Sequence, residues 1–96
     1  MKENIELIPL KEDIVIKIVD LRYGKNANIV VTALYESIDF RFSVFFDNGY
    51  CSMDKNLSFK ILDEKQELKI PDYKILANFN ITRSGHLRCI NAKVYD

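Results

Sequence analysis

The sequence predicts an all-β domain, with room for at most one short helix, folded as a small antiparallel barrel or sandwich of six or seven strands built from hairpins. Three observations carry that expectation. Apolar and polar residues alternate with period two along most of the chain, which sends successive side chains to opposite faces of a strand; Ile38 to Phe46 is the clearest run. Turn chemistry recurs at short intervals, at Gly24 to Asn28, at Asn48-Gly49 and at Arg83-Ser84-Gly85, as strands that reverse in hairpins require. The length of 96 residues allows one core, so residues 1–96 read as a single domain without a linker.

Taken in order, Ile14 to Tyr23 is rich in β-branched residues, Gly24 to Asn28 supplies a loop, and Ile29 to Tyr35 resumes the run. Pairing Tyr23 with Ile29 sets Leu21 opposite Val31 and Val19 opposite Ala33, one apolar face throughout. In the next strand Ile38, Phe40, Phe42, Val44 and Phe46 share a face, with Asp39, Arg41 and Ser43 on the other. A tight link at Glu36-Ser37 pairs Ala33 with Phe40 and Val31 with Phe42. Glu-Ser is poor chemistry for a two-residue turn, and the alternative is one long strand bent by a bulge near residue 37.

Asn48-Gly49 supplies the positive φ of a type I′ turn, which sets Phe46 opposite Cys51 and Val44 opposite Met53. Residues 57–70 read two ways. Leu57, Phe59 and Ile61 alternate like a strand that pairs with Leu68 and Ile70, whereas Ile61 to Leu68 consists of helix formers with Asn56 as a cap; the hairpin is favoured. A last hairpin joins Tyr73–Thr82 to His86–Tyr95 through Arg83-Ser84-Gly85. A left-handed Gly85 pairs Thr82 with His86, Asn80 with Arg88 and Phe79 with Cys89, gathering Ile75, Ala77, Phe79, Ile81, Leu87 and Cys89 on one face. Leu76, Ile90, Ala92 and Val94 fall on the other face. With a helix at 61–68 the order of strands, helix and hairpin is loosely like an oligonucleotide-binding (OB) barrel, in architecture alone and without a family motif.

Composition bounds the function. Fourteen Lys and Arg balance fourteen Asp and Glu, so the global basic footprint of a non-specific nucleic-acid binder is missing. The N-terminal stretch is broken by Glu3, Glu6, Glu12 and Asp13, unlike a signal peptide, and no apolar run reaches the roughly 20 residues of a membrane span. The expectation is a cytoplasmic protein with no membrane role. Cys51 and Cys89 lie far apart without a CxxC spacing and read as buried, reduced core thiols. Phe, Tyr, Met, Ile, Asn and Lys, which use A/T-rich codons, far outnumber Gly, Ala, Arg and Pro, which suits a low-GC bacterium, its phage or another mobile element.

Catalytic machinery is not legible. The single His excludes two-His metal motifs, and no phosphate-binding glycine loop, HExxH or GxSxG occurs. His86 and Cys89 point to opposite faces of a strand, so they do not form a nucleophile pair. No enzyme activity, cofactor or metal is expected. Binding is. The favoured reading is a protein-protein interaction module, such as an inhibitor or accessory factor, with Tyr35, Phe45 and Tyr50 as exposed aromatics; the same rings could instead cover one end of the barrel. The alternative is a site for single-stranded nucleic acid, a nucleotide or another phosphate-bearing ligand on the last hairpin. From Tyr73 to Tyr95 the chain has four Lys or Arg, the only His and no acid. Arg83, His86 and Arg88 would contact phosphates, and Asn78, Asn80 and Thr82 would supply hydrogen bonds. Solvation of a hairpin end calls for the same residue types. Oligomeric state is not encoded in these features.

Overall fold

A computed structural model of the chain describes residues 8–10, 12–26, 28–45, 60–65 and 67–95. Among the described residues five strands form: β1 (Ile14–Tyr23), β2 (Asn28–Tyr35), β3 (Ile38–Phe45), β4 (Ile75–Ile81) and β5 (Leu87–Val94). They make one antiparallel sheet in the order β3-β2-β1-β4-β5. The all-β class is as the alternation predicts. β3 comes close to β5 but is not paired with it, so among the described residues the sheet is curled and open. A closed barrel of six or seven strands is not what these residues form.

The curl starts in β1. Ile14, Ile16 and Ile18 are buried, and Ile14 to Ile16 pair with Ala77 to Ile75 of β4. From Lys17 onward the strand pairs with β2, and the register shifts between Ile18 and Asp20. The extra residue is Val19, which is 38% exposed. A bulge adds one residue without a partner and bends the strand. Here it also reconciles two phases of the sequence: the isoleucines on even positions face the core before it, and Leu21 on an odd position packs on the core after it. The expected Val19–Ala33 pair is therefore corrected to Ile18–Ala33, while Leu21–Val31 and Tyr23–Ile29 form as derived.

β2 and β3 pair in the expected register, Ala33 with Phe40 and Val31 with Phe42. Glu36-Ser37 is a true two-residue turn, with Glu36 at φ 57° as its positive-φ residue. Positive φ at the first central position alone is the type II′ pattern, which normally takes Gly. The core lies inside the curl. Phe79 on β4 meets Phe42 with ring centroids 5.0 Å apart and Phe40 at 5.3 Å, both edge-on. All three rings are at most 2% exposed.

The Asn48-Gly49 hairpin, with Phe46, Cys51 and Met53, lies outside the described residues. Between β3 and β4, a helix over 61–68 is not formed. Of the favoured hairpin, residues 57–59 lie outside the described residues, and a single antiparallel bridge joins Leu62 to Leu68, with the Lys69 N–H donating to the Ile61 carbonyl at 3.0 Å. Asp63 explains the tight reversal, because its carboxylate accepts from the backbone N–H of Lys65 at 2.8 Å and of Glu67 at 2.9 Å. Ile61 is nonetheless buried and joins the core.

Candidate functional site

The last hairpin is built as its turn residues dictate. Gly85 sits at φ 82°, the Gly85 N–H donates to the Thr82 carbonyl at 2.9 Å, and the Thr82 N–H donates to His86 O at 2.8 Å. The Thr82 hydroxyl accepts from the His86 N–H at 3.1 Å and lies 3.1 Å from the Ser84 hydroxyl. Thr82 is therefore a brace of the loop. Arg83, His86 and Arg88 are exposed, and Asn80 is exposed directly opposite Arg88.

Asn78 has a different environment. It is half-buried, and its amide nitrogen donates to the Asp13 carboxylate and, at 3.5 Å, to Asn91 Oδ1. Its own Oδ1 is buried and has no partner among the described residues. The side chain ties the start of β1 to β5. Of the six hairpin residues expected to meet a ligand, Asn80, Arg83, His86 and Arg88 stand in solvent, and Thr82 and Asn78 are engaged in holding the hairpin.

A second bulge shapes the face. The register shifts between Asn78 and Phe79, so that Asn78 opposes Asn91, Phe79 opposes Cys89, and Ile90 is the additional residue. Leu87 and Cys89 are buried before it and Ala92 after it. Ala92 is thus corrected from the outer face to the core, Val94 likewise turns to the inner face opposite Ile75, and Lys93 turns outward with Arg88. Ile81 keeps the expected face, opposite Leu87, but at the hairpin end it is 44% exposed. The Cys89 thiol is buried and donates to Asn91 O at 3.3 Å.

The outer face can be followed from pair to pair. Arg88 lies beside Asn80, Ile90 and Asn91 beside Asn78, Lys93 beside Leu76, and Leu76 beside Val15 of β1. Pairing continues one step to Lys74, whose carbonyl accepts from the Tyr95 N–H at 2.9 Å. Ile90 is 45% and Tyr95 47% exposed. Ile90 was expected on this face; the bulge that leaves it exposed was missed in the sequence. The signal was present as a break in alternation, since Leu87 and Cys89 keep one parity and Ala92 the other.

The aromatic set fares less well. Tyr35 is half-buried and packs on the core, Phe45 is half-buried at the end of β3, and Tyr50 lies outside the described residues. Along the 60–69 turn there is an open concavity of about 480 Å³ lined by Lys60, Leu62, Asp63, Glu64, Lys65, Glu67 and Lys69. Ligand pockets are mainly apolar with a few polar groups, whereas every lining side chain here except Leu62 is charged. Among the described residues no three His, Cys, Asp or Glu side chains gather as metal ligands, and no helix is long and apolar enough to cross a membrane. Comparison with protein-family models, with curated proteins and with solved structures returns no match.

Proposed function

We propose that this chain is a non-enzymatic binding domain whose partner is a protein, in the manner of an inhibitor or accessory factor, engaged by the outer face of the β4–β5 hairpin. One observation carries the reading: Ile90 and Tyr95 stand 45% and 47% exposed on the same hairpin as Arg83, His86 and Arg88. Neither set is spent on the core. Interfaces favour Arg and apolar anchors at their centre. Affinity capture with the full chain, beside an Ile90→Ser variant, tests it. A protein recovered with the first and lost with the second is the expected result; equal recovery by both sinks the assignment to this face.

The strand order favours a second reading. β1 to β3 form a meander, β4 returns to pair with β1, and β3 comes nearest β5, which supports an OB-like barrel left open between β3 and β5. OB domains bind oligonucleotides through loops 1–2 and 4–5 and the adjoining sheet. Here those loops carry Lys25 and Asn26, and Arg83 and His86. Salt dependence separates the readings, because phosphate contacts release counterions and weaken steeply with salt.

A further inference from the structure

We infer that the partner of the β4–β5 face is an acidic protein segment, held by cations arranged around an apolar strip. The inference rests on the reading that this face binds a protein, and names the class of that protein's contact surface. The strip is Val15 and Leu76, paired and half-buried, with the exposed Ile90 next to them. Around it stand Arg88 beside Asn80, Lys93 beside Leu76, and Lys74 one step further; Lys17 follows Val15 on the same side of β1. All four cations are exposed.

The bulge at Ile90 creates this arrangement. Arg88 and Lys93 have opposite parity, and a regular strand would send Lys93 to the core side with Cys89. The extra residue restores it to the outer face. Asp13 reaches this strip, and its carboxylate accepts the Asn78 amide. Charge complementarity therefore calls for carboxylates on the partner, with an apolar side chain among them to cover Ile90.

Nucleic acid suits the face less well. Non-specific strand binders stack successive bases on aromatic rings, whereas the centre here is aliphatic. Tyr95 is the sole aromatic on this face among the described residues and stands at its end. Tyr73 is half-buried, with the Lys60 ammonium 5.9 Å from its ring centroid.

The test is selection of random peptides on the immobilised full chain. Peptides of about twelve residues suffice, because strands rise about 3.3 Å per residue and Arg88 to Lys93 spans roughly 13 Å once the bulged residue is discounted. The selected peptides are expected to be rich in Asp and Glu around one or two apolar residues. Arg88→Ser/Lys93→Ser should weaken them about three- to tenfold, the effect of losing two exposed ion pairs, without lowering the melting temperature by more than a few degrees. Raising salt should weaken them further. Selected peptides that are neutral or basic, yet lose affinity with Ile90→Ser, would overturn the acidic partner and leave the protein-binding face standing. Failure to select any peptide sensitive to Ile90→Ser or to the double variant overturns both. So does tighter binding of a fluorescent oligothymidylate of about fifteen nucleotides, which makes the face a nucleic-acid site.

Discussion

Glu36 adopts a backbone conformation that a side chain disfavours. At φ 57° an L-residue suffers a clash between Cβ and the following carbonyl worth about 1–2 kcal/mol, and glycine avoids it at some cost in unfolded-state entropy. Glu36→Gly should stabilise the chain by about 0.5–1 kcal/mol, read as a higher urea midpoint with unchanged slope; a lower midpoint would show that the turn does not strain Glu36. Tyr73 is strained electrostatically instead. Its hydroxyl is buried without a partner among the described residues, and burial, followed by the Asp72 charge, raises its pKa above the usual 10.0. The folded chain then holds this proton to higher pH than the unfolded chain does. The stability it supplies is intact below pH 10 and is lost as pH rises through 10 towards the folded pKa. Tyr73→Phe should flatten the fall in stability between about pH 8 and pH 11, and at neutral pH should leave stability unchanged or improve it by about 1 kcal/mol. An identical alkaline slope in the variant would place the cause elsewhere.

At the scale of strands and turns, much was legible because hairpin registers are set by their loops. Tyr23–Ile29, Ala33–Phe40, Asn80–Arg88 and Phe79–Cys89 all pair as the turn residues imply. The errors at Val19, Ala92 and Val94 have one origin. Alternation was carried straight through both bulges, although the apolar positions change parity between Ile18 and Leu21 and again between Cys89 and Ala92. The bulges make a distinctive deletion experiment possible. Removing Ile90 should leave Cys89 and Ala92 inward and Arg88 and Lys93 outward, so the chain should still unfold cooperatively with a loss of about 1 kcal/mol. Collapse of the cooperative transition would mean that β5 is regular and that the deletion had inverted its faces.

For the whole molecule, the inner face was readable from sequence: Val31, Phe40, Phe42, Val44 and Phe79 are all at most 2% exposed. Curl was not readable, since it arises where β1 is shared between β4 and β2, a contact between segments about sixty residues apart. The candidate face suffered likewise, because which side chains escape the core depends on bulge positions that residue types alone specify weakly. Phe79 marks the point where the two parts of the sheet meet, touching rings from β3. Phe79→Ala should cost about 3–5 kcal/mol, a large part of a small domain's stability. A loss below about 1 kcal/mol on urea unfolding would show that β3 does not close over β4.

The short seam between β1 and β4 has a kinetic consequence. β1–β2–β3 and β4–β5 are local meanders, each closed by loops of a few residues, and such units form fast. Among the described residues backbone pairing joins one to the other only from Ile14 to Ile16 and Ile75 to Ala77, across a long intervening chain whose closure entropy must be met before the contacts reward it. Docking of two preformed ribbons is then the slow event. Ile16→Val and Ile75→Val should slow refolding in a chevron experiment, whereas truncations in the hairpin ends should mainly hasten unfolding.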